Sequence, residues 1–150
     1  MLKIGDKAPL FSLPSGDGET IALKNLRGRK VVLYFYPKDH TSGCTKEACF
    51  FEANLGTIEK KGAIVLGISA DGPESHARFA QKQGLSFSLL SDEEKKVLKA
   101  YGVWKEKSMY GRKFLGIERT TFVIDERGKI THIFPKVKVD GHVEEVLKVL

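Results

Sequence analysis

Two nearly unbroken apolar runs, Val31 to Tyr36 and Ala63 to Ser69, constrain this chain more than any other feature. Both are rich in β-branched or aromatic residues. A strand buried on both faces of a sheet reads this way, whereas a strand with one wet face alternates apolar and polar residues. Between the runs, Cys44 to Lys61 fits a helix. A strand, a helix and a second strand make a βαβ crossover, in which the strands lie parallel and the connection is right-handed. At 150 residues the chain has the length of one ordinary domain, so a single domain over residues 1–150 is expected.

The remaining segments fill in the layers around that unit. Leu10 to Leu13 and Thr20 to Leu23 flank the turn cluster Pro14-Ser15-Gly16-Asp17-Gly18 and read as an N-terminal hairpin, after which Leu26 to Lys30 leads into the first central strand. Asp71-Gly72-Pro73-Glu74-Ser75 opens a second helix reaching about Gly84, with Phe79 and the alanines as its inner face. A short strand is expected around Phe87 to Leu90, and Ser91-Asp92-Glu93-Glu94 starts a helix that ends near Gly102. Thr120 to Ile124 and Lys129 to Phe134 form a second hairpin around Asp125-Glu126-Arg127-Gly128. From Asp140 or Gly141 to Leu150, Val143, Val146, Leu147 and Leu150 recur at helical spacing, which marks a closing amphipathic helix. This order is that of an α/β thioredoxin-like three-layer sandwich, a central mixed sheet with helices on both faces, with an N-terminal β-hairpin extension and an inserted strand and helix. Gly16-Asp17-Gly18 is turn chemistry and not a phosphate loop, because no strand, lysine and helix follow in the required order.

Charge excludes more than it assigns. The formal net charge is +6 and the pI about 9.3, yet the basic residues are interspersed with acids, as in Ser91-Asp92-Glu93-Glu94-Lys95-Lys96, and no basic stripe with aromatics stands out. The expectation is a solvated mixed-charge surface without nucleic-acid binding, able to steer in an acidic protein partner. Met1 to Asp6 lack a basic segment followed by an apolar run, and no stretch approaches the roughly 18 apolar residues of a membrane span. A soluble, cytoplasmic protein with no membrane partner is therefore expected.

The chemistry concentrates at the two cysteines, Cys44 and Cys49, which follow the strand, Pro37 and a Thr41-Ser42-Gly43 turn. A thiol at a helix N-terminus faces unpaired backbone N–H groups and the positive end of the macrodipole, and both favour thiolate over thiol. Cys44 is thus the candidate nucleophile. In a reducing compartment a lone pair of cysteines cycles more often than it staples. On a regular helix, residues five apart have Cα atoms ~8.6 Å apart. That exceeds the roughly 7 Å reach of a disulfide, so joining these two would require the first turn to unwind. The spacing also separates the chain from Cys-x-x-Cys oxidoreductases.

Set side by side, Pro37, Thr41 and Cys44 resemble the peroxiredoxin signature of a proline, three residues, a threonine, two residues and a cysteine. The Tyr34-Phe35-Tyr36-Pro37-Lys38-Asp39 lead-in, Gly43-Cys44-Thr45-Lys46-Glu47-Ala48-Cys49, Gly67-Ile68-Ser69, Met109-Tyr110-Gly111 and Gly116 to Phe122 are similar to the bacterioferritin comigratory protein, or peroxiredoxin Q, branch. The likeness covers nearly the whole chain. Two positions depart from it, since His40 and Ser42 stand where an aspartate and a proline are usual, and the missing proline leaves the loop before Cys44 less constrained.

The resemblance implies a thiol-dependent peroxidase that reduces hydrogen peroxide and small organic hydroperoxides, without metal, haem or flavin. Cys44 would be peroxidatic and Cys49 resolving, forming an intramolecular disulfide that a thioredoxin-type protein reopens. Thr41 is either a plain helix cap or, as the likeness implies, a hydroxyl that meets the peroxide or the sulfur. Arg119 is a surface ion-pair partner or the permanent cation beside Cys44. Pro37 ends the strand and, in the family reading, also shields the thiolate from water. Cys49 is otherwise an inert buried helical cysteine, and some members of the branch lack the second one. His40 and the two thiols have the wrong spacing for zinc, and His76, His132 and His142 read as scattered surface or core residues. Trp104 and Tyr110 either line the approach or simply pack. A monomer is expected, because Cys49 permits resolution within one chain. Two other classes stay open: a thiol–disulfide exchange protein on the same fold, and a chaperone-like binding module switched by peroxide.

Overall fold

The computed structural model describes residues 1–150. Strands β1 (Ser12–Pro14) and β2 (Thr20–Ala22) form the N-terminal hairpin as a separate two-stranded sheet. The crossover follows as β3 (Lys30–Phe35), α1 (Ser42–Ala53), α2 (Leu55–Lys60) and β4 (Ala63–Ser69). Then come α3 (Pro73–Gln83), β5 (Ser88–Ser91), α4 (Lys96–Ala100), β6 (Trp104–Met109), β7 (Arg112–Ile117), β8 (Thr120–Ile124), β9 (Ile130–Phe134) and α5 (His142–Lys148).

The central sheet runs β5-β4-β3-β8-β9. β3 pairs parallel with β4, with Lys30 opposite Ala63 and Phe35 opposite Ile68, and antiparallel with β8, which pairs antiparallel with β9. The mixed sheet and its flanking helices are those of the thioredoxin-like sandwich. The double-sided apolar character of β3 has a direct cause. Val31, Leu33 and Phe35 point into one core with Leu98, Tyr101 and the N-terminal segment, while Val32, Tyr34 and Tyr36 point into a second core with Phe51 of α1, Ile58 of α2, Phe79 of α3 and Val146 of α5.

Three local expectations change. The helix foreseen over Cys44–Lys61 starts two residues earlier and is interrupted at Asn54, whose side-chain amide donates to the Phe50 carbonyl at 2.8 Å. Asparagine competes in this way with the backbone ladder. The helix expected from Ser91 begins only at Lys96, because Ser91 is drawn into β5 opposite Ser69. Asp92 still serves that helix start, with its carboxylate accepting the Leu98 N–H at 2.7 Å. The β6–β7 hairpin was not foreseen at all. Most of its residues are exposed, so it carries little hydrophobic period to read. No helix is long and apolar enough to cross a membrane.

Gly67 links this packing to the helix that carries both cysteines. It sits opposite Tyr34 and Leu89, and a Cβ there would lie 2.9 Å from Leu89 Cδ2 and 2.9 Å from Tyr34 Cζ. The bare glycine lets the Tyr34 ring lie over β4 and stack on Phe51 at 4.7 Å. Gly67→Ala is expected to cost about 1–3 kcal/mol through overpacking. Urea unfolding should show this as a lower midpoint with an unchanged m value.

Candidate active site

The chain leaves the sheet at Tyr36, whose N–H still bonds the Ile68 carbonyl of β4, and passes through half-buried Pro37 into the loop before α1. Thr41 is the N-cap residue of α1 in extended conformation, but its side chain does not cap. Its hydroxyl donates to the Lys38 carbonyl at 2.8 Å instead, and its own carbonyl accepts from the Thr45 N–H and hydroxyl. With its hydrogen engaged, Thr41 Oγ1 keeps lone pairs free to accept from a ligand. Cys44 is the third residue of α1, in the turn where backbone N–H groups lack intrahelical partners, and the residue, a free cysteine, is 2% exposed.

Arg119 lies in the short link between β7 and β8, one residue ahead of an interior strand, so the register of β8 against β3 carries it to the start of α1. Its guanidinium is a fork with one tine on each of two α1 side chains. Nη2 stands 3.3 Å from Cys44 Sγ, and Nη1 donates to Glu47 Oε1 at 2.6 Å. Cys44 and Glu47 are three residues apart and therefore share a helix face. Gly43 leaves room for the fork, since a Cβ there would come within 3.3 Å of Arg119 Nη2.

Burial sets the electrostatics. Glu47 is fully buried, its Oε2 has no partner, and burial pushes its carboxyl up to about 7 although Arg119 pulls the other way. Burial also works against the charge on Arg119, but Glu47 and Cys44 outweigh it and hold the guanidinium above its ordinary value. Behind the site, His142 of α5 sits 2.8 Å from the Thr121 hydroxyl. Burial and then the nearby Arg119 bring it down to about 4, so it adds no second positive charge at neutral pH. Lys107 of β6 is lowered by partial burial and by Arg119.

The other candidates divide. Cys49 lies on the same helix but away from this cluster, half-buried, with its thiol 3.6 Å from Gln83 Oε1 at the end of α3. α1 is continuous through both cysteines, so the separation expected of a five-residue step persists while the thiols are free. His40 packs edge-on against Phe79 and does not converge with the thiols. Trp104 packs against the core under the Lys95 ammonium, and Tyr110 projects from the tip of the β6–β7 hairpin. Of the surface and core alternatives, His76 and His142 take the core one, both buried in specific polar pairs. Sequence reasoning passed over Glu47, which its three-residue spacing from Cys44 marks. It also passed over Asp39, which carries no periodic signal.

The Glu47 carboxyl binds its proton more tightly in the folded chain than in the unfolded one. Its contribution to stability is therefore complete below the ordinary value of 4.5 and is lost as pH rises through about 7. Urea unfolding at about pH 5 and about pH 8 should show the native chain losing on the order of 2 kcal/mol relative to Glu47→Gln over that interval. Parallel profiles would remove Glu47 as a buried, proton-holding group.

Known proteins resemble this chain in sequence and in overall fold. Residues 4–133 match the AhpC/TSA family. A putative peroxiredoxin bcp of Coxiella burnetii is 53% identical over 146 residues, covering 97% of this chain and 97% of that protein. Among solved structures, a Xylella fastidiosa peroxiredoxin Q mutant superposes with a TM-score of 0.94 at 39% identity, covering 99% of this chain and 95% of that one. The Xanthomonas campestris bacterioferritin comigratory protein, solved as trapped intermediate and ligand complexes to explain its alkyl peroxide reduction, superposes with a TM-score of 0.89 at 42% identity over 93% of this chain and 88% of that one. With likeness of this extent in sequence and in fold, the chain belongs to the AhpC/TSA family as a peroxiredoxin of the bacterioferritin comigratory protein, or peroxiredoxin Q, branch.

Proposed function

We propose that Cys44 is the peroxidatic cysteine of a thiol-dependent peroxidase acting on hydrogen peroxide and small organic hydroperoxides, and that Cys49 resolves it. The observation that carries this reading is the Arg119 guanidinium 3.3 Å from a buried thiol in the first turn of α1. The Cys44 thiolate attacks the terminal oxygen of the hydroperoxide and the O–O bond breaks. The sulfur is oxidised to sulfenic acid, and the departing alkoxide or hydroxide takes a proton to leave as alcohol or water. Arg119 faces both the sulfur and the oxygen on which negative charge grows, and Thr41 Oγ1 accepts the hydroperoxide hydrogen bond. Pro37 keeps water from the thiolate. The alkyl peroxide reduction attributed to the Xanthomonas campestris relative supports organic hydroperoxides as substrates.

In the second step the Cys49 sulfur attacks the Cys44 sulfenic acid, a disulfide forms and water leaves. A thioredoxin-type dithiol then returns two electrons and two protons. The helix must open for this, and its anchors favour opening at the N-terminal half. Phe51 is buried and stacked on Tyr34, and Glu52 accepts both the Ser86 N–H and hydroxyl, so the distal half stays fixed. Moving Cys49 towards Cys44 also takes Glu47 away from Arg119. A closed reduced helix and an open oxidised one follow. One chain suffices for this cycle, which supports a monomer of a single domain working in a reducing compartment such as the cytoplasm. Simple thiol–disulfide exchange is disfavoured by two thiols that cannot bond across an intact helix.

Peroxide consumption with thioredoxin, thioredoxin reductase and NADPH tests the assignment. Cys44→Ser should abolish turnover, and Cys49→Ser should stop after one turnover as a sulfenic acid unless another thiol is added. Arg119→Lys, which keeps the charge but loses the fork, should slow Cys44 oxidation by roughly a hundredfold. Amide exchange should show Gly43 to Cys49 less protected in the oxidised protein, with Phe51 and Glu52 unchanged. Equal consumption by all variants would overturn the cysteine roles.

A further inference from the structure

Behind the loop that leads to Cys44 lies a buried polar cluster with no part in the cycle described above. Asp39, 3% exposed in mid-loop, is its centre. Its Oδ1 accepts from the Tyr36 hydroxyl at 2.6 Å, and its Oδ2 accepts from the Ser75 hydroxyl at 2.8 Å and faces His76 Nδ1 at 2.7 Å. Its backbone N–H donates to Asp71 Oδ2 at 2.9 Å, and that oxygen also accepts from the Ser69 hydroxyl. On the far side of the fully buried His76 ring, Nε2 lies 3.0 Å from the Leu90 carbonyl.

The proton count follows from these partners. A carbonyl only accepts, so Nε2 carries a hydrogen. Nδ1 faces a carboxylate oxygen at hydrogen-bond distance, so a second proton lies between His76 and Asp39. The pair is therefore a charge-assisted contact sealed from water. Burial works against the Asp39 charge, but the bonds from His76 and Tyr36 outweigh it and hold the carboxyl below its usual range. Asp39, Asp71 and His76 could in spacing hold a cation, but their atoms are engaged with one another and with neighbouring hydroxyls.

The position of the cluster gives it a role. Tyr36 and Ser69 stand at the ends of β3 and β4, Leu90 is in β5, and Ser75 and His76 are in the first turns of α3. Three adjacent strands and one helix thus converge on one loop residue, two positions before Thr41 and five before Cys44. His40, next to Asp39, is held at φ 65, a left-handed conformation that non-glycine residues rarely adopt. No proline stands between Pro37 and Cys44, so backbone stiffness alone does not hold the loop. We propose that the buried Asp39–His76 pair is a positioning device for peroxide reduction, clamping the loop so that Thr41 Oγ1, the first turn of α1 and Arg119 stay aligned for in-line attack on the O–O bond. Asp39, His76 and Ser75 act through Thr41 and Cys44 and are positioning residues. The proposal rests on Cys44 being peroxidatic.

The test uses the full chain carrying Cys49→Ser, so that only Cys44 reacts, and compares two rates in each variant. One is Cys44 oxidation by hydrogen peroxide, which needs the aligned site. The other is alkylation by iodoacetamide, which needs a thiolate and access but neither Thr41 nor in-line geometry. His76→Gln should lower the ratio of peroxide rate to alkylation rate by about tenfold or more, and Ser75→Ala, which removes a single bond to Asp39, by about threefold. If His76→Gln does not fold, Ser75→Ala decides. An unchanged ratio in a folded variant, or both rates falling together, overturns the clamp. A parent protein that is itself slow with peroxide overturns the role of Cys44 instead, and the clamp with it.

Discussion

A partly buried guanidinium that holds a thiol with one nitrogen and a carboxylate with the other is the contact around which the rest of the site is arranged. Arg119 is mostly withdrawn from water, and so are Cys44 and Glu47. Charges in such a place are costly unless paired, and pairing them requires geometry that only rigid elements provide. The sheet supplies it. β8 is locked between β3 and β9, and β3 delivers the loop and helix start, so the register of one strand pair places Arg119 against α1. Gly43 and Gly67 are the local concessions to this packing, one giving room to the guanidinium and the other to Tyr34 beneath α1.

The same helix has to satisfy two incompatible demands. In the reduced chain it must be closed, because helical geometry presents Cys44 to its free N–H groups and Glu47 to Arg119. For the disulfide proposed between Cys44 and Cys49 its first turns must open, because a helix holds the two residues too far apart to bond. The anchors are distributed to suit both. The distal half is tied down by the Phe51 stack and by Glu52 on Ser86, while the proximal half is held by the Arg119 pair and a surface ion pair between Lys46 and Asp140. Cys49 itself rests on Gln83 of α3, a weak contact for the element that has to move. In the proposed cycle, rigidity is kept beside Cys44, through Asp39 and the start of α3, and is relinquished where Cys49 would travel.

Much of this was legible in the chain. The two apolar runs, the turn clusters and the helical spacing near the C-terminus led to the order of elements, one parallel strand pair and the sandwich, since hydrophobic period is a local property. The cysteines, Thr41, Pro37 and Arg119 stood out through their positions at element boundaries and through a family likeness. The β6–β7 hairpin did not, because a largely solvated hairpin has no buried face to impose a period. Nor did the break at Asn54 or the late start of α4, where a side-chain bond and a strand pairing overrode helix signals.

The functional partners divide along the same line. Cys44 and Glu47 share a helix face whatever the surroundings, and the five-residue step between the cysteines implies an opening helix by geometry alone. Those conclusions belong to the sequence, because they depend only on the repeat of one local structure. That Arg119, 75 residues away, meets Cys44 was decided by strand register, and that Asp39 and His76 form a sealed pair was decided by the convergence of three strand ends and α3. Whether a charged side chain ends in water or against a partner is a property of the packed interior, and no local pattern in the chain encodes it.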